Sequence, residues 1–158
     1  THGGSMRYVI SRKGNHDIEK NVNLILNEEK LKNLDNINSC IEFKNNCEKS
    51  KYKINKSLKK LKDDGKKIAG YAATSKSTTI LNYCEIDNNI IDYICDTTKE
   101  KIGKYSPGMH IPIVSIDHFR NDNPDIAFLF AWNHKEEIFS KEKKFINSNG
   151  KWISHVEI

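Results

Sequence analysis

The stretch Gly70-Tyr71-Ala72-Ala73-Thr74-Ser75-Lys76-Ser77-Thr78-Thr79 holds the residue types best suited to chemistry. Small side chains, hydroxyls and one lysine stand where an apolar strand pattern gives way to a helical one. Free N–H groups at the start of a helix attract an anion, and Lys76 places a cation at the same spot. Phosphate or pyrophosphate bound near Lys76, Ser77 and Thr79 is the chemistry this suggests. The competing reading is that small residues here merely let strand and helix pack. Neither G-x-G-x-x-G nor a Walker A loop is present, which argues against a bound dinucleotide.

Other candidates lie at the same edge. Asp96 ends the next strand pattern, where dinucleotide enzymes place an acid against a ribose; capping the following loop is the equal alternative. His110 closes a loop punctuated by Gly103, Pro107 and Gly108, either as a ligand contact or as a residue that orders the loop. Asn133 reads as a helix cap and Trp132 as packing. At the start, His2-Gly3-Gly4-Ser5-x-Arg7 combines glycines that allow close backbone approach with an arginine able to pair with phosphate. No nucleophile–base pair at triad spacing, no H-E-x-x-H and no paired-carboxylate motif appears. A self-contained catalytic site is not indicated.

The elements that must position these residues follow from periodicity. Residues 5–13 alternate and read as a short strand. Ile18, Val22, Ile25 and Leu26 recur at helical spacing. Cys40, Cys47, Ile54 and Leu61 share one heptad position, so a single long helix is expected to follow, stopped at Asp63-Asp64-Gly65. Short strands are then expected at residues 66–73, 90–96, 111–114, 125–132 and 152–156. Helices are expected at 77–84, at 115–119 with Ser115 as cap, and at 134–147. Strand and helix alternating in this way give an α/β, Rossmann-like, mostly parallel sheet with helices on both faces, preceded by a short strand and a helical N-terminal arm. The expected division is an arm over residues 1–64 and a Rossmann-like substrate-side domain over 65–158.

The chain has 158 residues, 30% of them charged and 37% hydrophobic, which fits one globular domain and excludes collagen-like or largely disordered chains. No run approaches the ~18 apolar residues of a membrane span. Nothing at the start looks like a signal peptide, and the first residue is not Met, which points to a piece of a longer chain. The net charge of +5 comes largely from a lysine-rich helical stretch interrupted by Glu48, Asp63 and Asp64. It reads as a solvated face, not a nucleic-acid surface. Cys40, Cys47, Cys84 and Cys95 form no C-x-x-C pair, so buried reduced thiols in a cytoplasmic protein are expected, with no metal bound.

These residues together resemble a known family. The N-terminal Thr1-His2-Gly3-Gly4-Ser5-Met6-Arg7, Gly70-Tyr71 through Lys76 to Thr79-Ile80-Leu81-Asn82-Tyr83, the stretch from Gly103 to Ile113 and Trp132-Asn133 follow one order. That order is similar to the C-terminal domain of the S-adenosylmethionine-dependent C-methyltransferases acting on nucleotide-linked keto-sugars. The resemblance implies an enzyme of three parts: a zinc-binding N-terminal module, a middle domain for the methyl donor, and this domain, which helps hold the nucleotide-sugar. The cysteine cluster, the donor-binding motif and the Glu-His pair associated with the catalytic base are absent from this sequence. No catalytic residue or cofactor is therefore expected in this fragment, which should not methylate by itself. Its partners would be a nucleotide-sugar or similar small molecule and the missing domains, with neither nucleic acid nor membrane. The implied substrate-binding residues are His2, Gly3, Ser5, Arg7, Tyr71, Lys76, Ser77, Thr79, Asn82, Asp96 and His110. The chain departs from the family pattern at Ala72, where Gly is usual, at Ser75, where Ala is usual, and at Thr97-Thr98-Lys99, where Arg-Asn-Pro is typical. A stand-alone nucleotide-binding or regulatory domain without catalysis is the alternative, and a dimerisation module built on the long helix a third.

Overall fold

A computed structural model describes residues 4–158. The chain divides into two compact units, one ending at Cys47 and one beginning at Glu48. In chain order the elements are α1 (Lys20–Leu31), α2 (Ile37–Asp63), β1 (Ile68–Tyr71), α3 (Ser75–Cys84), β2 (Tyr93–Asp96), β3 (Ile113–Ser115), α4 (Ile116–Asp122), β4 (Ile126–Leu129), α5 (Lys135–Lys141), α6 (Lys143–Asn147) and β5 (Lys151–Ile153), with a 3-10 turn at Trp132–His134 before α5.

The five strands form one sheet in the order β3-β2-β1-β4-β5, every pairing parallel. This is the α/β Rossmann-like sheet that the alternation predicts. The chain builds outward from β1 to β3 and then crosses back to β4 on the other side of β1, so strand order reverses between β1 and β4. Residues alternate between two cores. Ile68, Ile94 and Phe128 face Ile54 and Leu58 of α2 and Leu81 of α3. Ala69, Tyr71, Tyr93, Cys95 and Leu129 face Phe119, Ile138 and Phe145 of α4, α5 and α6. Gly70 permits this packing, since a Cβ there would lie 2.8 Å from the Phe130 ring and 3.0 Å from Ile94.

Local signals set the boundaries. Gly65 (φ +74) lets Lys66 N–H reach the Leu61 carbonyl and its own N–H reach Lys62, closing the end of α2 as expected. Ser115 caps α4, accepting from His118 N–H at 3.2 Å.

Four expectations fail. Residues 5–13 form no strand: Met6, Tyr8, Val9 and Ile10 are exposed, and alternation without a pairing partner does not make one. Cys40 is exposed and Cys47 only half-buried, because no described residue up to Cys47 is buried; the heptad meets a core only from Ile54 onward. The charged helix at 134–147 is broken at Glu142, which turns inward to bond Tyr71 and Arg120. Asn133 caps no helix; it lies in the 3-10 turn and accepts from Lys76.

Candidate functional site

Strand polarity brings the turns after β1, β2 and β4 to one edge. After β1 the chain turns at Ala72, held at φ +73 by its N–H bonding Cys95 O at 2.9 Å. Alanine is strained in this left-handed region, where the glycine usual in the resembled family has no Cβ to accommodate. Thr74 caps α3, accepting from Ser77 N–H at 3.2 Å, while the buried Ser77 hydroxyl donates to Thr74 O at 2.6 Å. Thr79 is exposed, its hydroxyl donating to Ser75 O. The Ser77 and Thr79 hydroxyls thus shape the first turn of α3, leaving Lys76 as the outward-reaching group.

Lys76 is half-buried at the point where the turns meet. Its ammonium donates to Asn133 Oδ1 at 2.6 Å and lies 5.4 Å from the centroid of the Trp132 ring. Trp132 is therefore a cation–π partner as well as a packing residue. His155, just past β5, is a residue that sequence reasoning missed. Burial and then the nearby Lys76 charge keep its imidazole below the ordinary pKa, and its Nδ1 is buried with no hydrogen-bond partner. Nothing in the linear sequence marks His155, because only the sheet connects it to Lys76.

Asp96 sits on the other side of the β1 turn, buried. One carboxylate oxygen accepts from Ala73 N–H at 2.7 Å and Lys101 Nζ at 3.3 Å, the other from Thr98 N–H at 2.8 Å. Burial alone would raise its pKa; Thr98 and the Lys101 ammonium hold it below the ordinary value. Lys101 also donates to Ala73 O at 2.7 Å, so the pair clamps the β1 and β2 turns together. Asn82 donates to Pro107 O at 3.0 Å and packs so closely on Gly108 (φ +83) that a Cβ there would lie 1.8 Å from its Oδ1. Asn82 anchors the loop that carries His110, which is itself exposed in the left-handed region at φ +51. Tyr71 is buried, its hydroxyl donating to Glu142 at 3.0 Å. Ser5 and Arg7 are exposed residues of the N-terminal unit, and His2 and Gly3 lie outside the described residues.

At the ends of β1, β2 and β4 opens a cleft of about 380 Å³, lined by Ala72, Ala131, Ile116 and Ile138, by Thr74, Thr97, His134 and Glu137, and by Asp96, Lys101 and Lys141. Glu137 is paired with Lys141 at 2.6 Å, an i,i+4 spacing readable in the sequence. A ligand crevice at the reversal of strand order is what this topology favours.

With this geometry in place, the comparison with known proteins is direct. Residues 1–156 match the C-methyltransferase C-terminal domain family. The chain belongs to that family. It is also 32% identical over 153 residues to the C-methyltransferase NovU of Streptomyces niveus, an alignment covering 96% of this chain and 36% of NovU. The chain thus spans about a third of the relative's length. Within the family domain, no group of three or more His, Cys, Asp or Glu side chains among the described residues is placed to hold a metal ion. The methyl donor that the family implies is not suited by the residues present. The turn after β1 offers Ala72 and Ala73 where close approach calls for glycine, and the Asp96 carboxylate is committed to the clamp. No described helix is long and apolar enough to cross a membrane.

Proposed function

We propose that this domain is the substrate-side part of an S-adenosylmethionine-dependent C-methyltransferase and helps hold a nucleotide-linked sugar. Family membership supports transfer of a methyl group to carbon. The observation that carries the substrate reading is the convergence on Lys76: its ammonium, the N-terminus of α3, Asn133, Trp132 and His155 come together at the sheet's C-terminal edge. That combination suits a diphosphate.

In the intact enzyme a base would remove the proton beside a ketone, and the enolate carbon would take the methyl group as its bond to the donor's sulfonium sulfur breaks and the thioether leaves. The enolate needs a base and a group to stabilise oxyanion charge, both supplied outside these residues. This domain contributes binding energy from the nucleotide and phosphates, remote from the reacting carbon, and so positions it. The chain alone transfers no methyl group.

Calorimetric titration of this chain with a nucleotide-sugar tests the assignment. Replacing Lys76 by Ala is expected to weaken binding by about tenfold or more, since charge-assisted hydrogen bonds contribute ~1.5–3 kcal/mol. Unchanged affinity in Lys76→Ala removes Lys76 from the phosphate site. Methyl transfer by the chain alone contradicts the division of labour.

A further inference from the structure

The stretch Ser5-Met6-Arg7-Tyr8-Val9-Ile10-Ser11-Arg12 has the composition of a β-strand and forms none. Tyr, Val and Ile fit a pleated surface well and a helix poorly. In an extended chain Met6, Tyr8 and Ile10 share one face, while Ser5, Arg7 and Ser11 stand on the other with Val9. That alternation belongs to a strand buried on one side. A turn marks where it must stop: Asn15 N–H donates to Arg12 O at 3.1 Å, and Gly14 stands at φ +87. Yet Tyr8, Val9 and Ile10 are 79, 88 and 90% exposed. Among the described residues, the backbone of Met6 to Ile10 has no hydrogen-bond partner.

The sheet of this chain has no free edge long enough to receive such a strand. Beyond β3 the edge is covered, since Gly103 N–H donates to Ile113 O at 2.9 Å and Ile113 N–H to Lys104 O at 2.8 Å. On the other side β5 has three residues, and Lys151 already bonds towards β4, so Trp152 alone turns its backbone outward. The partner is therefore sought outside these residues. The 153 aligned residues are 36% of NovU, so the greater part of that relative lies outside the alignment. A C-terminal domain follows the rest of its enzyme in the chain. A strand continuous with that part meets it at high effective concentration.

We infer that residues 6–11 form an edge strand of a β-sheet in the preceding part of the enzyme, paired along one side. Met6, Tyr8 and Ile10 turn onto that sheet's core. Arg7 on the opposite face stays in water, a charge of the kind that guards an edge against further pairing. The inference rests on the chain being one part of a longer methyltransferase. It also moves a boundary, because the fold of this domain then begins beyond Gly14.

The test is amide-resolved hydrogen exchange on this chain alone and on the intact enzyme. In the chain alone, residues 6–11 are expected to exchange at the unprotected rate. In the intact enzyme every second amide from Met6 to Ser11 is expected to slow by about a hundredfold or more, as in a strand bonded along one edge. The neighbouring variants Tyr8→Pro and Val9→Pro separate the two sides, since one removes a bonded N–H and the other an outward one. Only the variant at the protected position is expected to restore fast exchange across the segment, and neither to shift the Tm of this chain. The inference is overturned if residues 6–11 exchange freely in the intact enzyme, if consecutive amides are protected as in a helix, or if both prolines act alike. Protection in the chain alone that grows with its concentration assigns the segment to a second copy and overturns it too. Alternate protection in an enzyme that transfers no methyl group keeps the strand and removes the proposed function. Methyl transfer with an unprotected segment does the reverse.

Discussion

Asp96 shows how one side chain can sit at an expected ligand position and serve the scaffold. Its buried carboxylate joins Ala73, Thr98 and Lys101. Replacement by Asn removes the charge from these bonds and leaves an amide NH2 facing donors. Stability is expected to fall by about 1–3 kcal/mol in urea unfolding at neutral pH. The sign of the pH effect follows from the folded carboxyl being held below its ordinary value. Its stabilisation is present above the unfolded pKa of about 3.9 and is lost as pH falls through the lower folded value. Asp96→Asn is therefore expected to flatten the loss of stability below about pH 4. A variant with the wild-type acid profile contradicts this role.

At the scale of elements, the junction of α5 and α6 is decided by Glu142. The residue is 2% exposed and accepts from Tyr71 Oη at 3.0 Å and from Arg120 Nε and Nη2 at 3.0 and 2.8 Å. It thereby ties α4 and the end of β1 to the break between the two helices. Glu142→Ala leaves a buried tyrosine hydroxyl and an arginine without their acceptor. Because Arg120 is partly exposed, the expected loss is about 2–3 kcal/mol, below the 3–5 of a fully buried pair; thermal unfolding measures it, and a loss under about 0.5 kcal/mol is the surface-substitution result that argues against the tie. This break also shows where sequence reading stops. The charge pattern of residues 134–147 is continuous, and only the tertiary partner makes Glu142 turn inward. The strands, α2 with its Gly65 stop and the Ser115 cap were legible, since each rests on local periodicity or backbone chemistry. Lys76 was legible as a lysine at a helix start. His155 and the Asp96–Lys101 pairing were not, because sheet order and loop packing bring them to the site. The apparent strand at residues 5–13 had alternation but no partner.

For the whole molecule, the sheet order explains why one domain offers two unlike surfaces at one edge. The reversal between β1 and β4 opens a neutral cleft, while α3 and the turn after β4 bring Lys76, Trp132 and Asn133 together. The most direct measurement is the thermal stability of this chain with a nucleotide-sugar, a nucleoside diphosphate and S-adenosylmethionine in parallel. A ligand that binds only the native state adds RT ln(1 + [L]/Kd), about 2.7 kcal/mol at a hundredfold excess over Kd. The expected result is a higher Tm with the nucleotide-sugar and the diphosphate and none with S-adenosylmethionine. A shift with S-adenosylmethionine alone, or no shift with either nucleotide ligand, contradicts a substrate-side role for the domain.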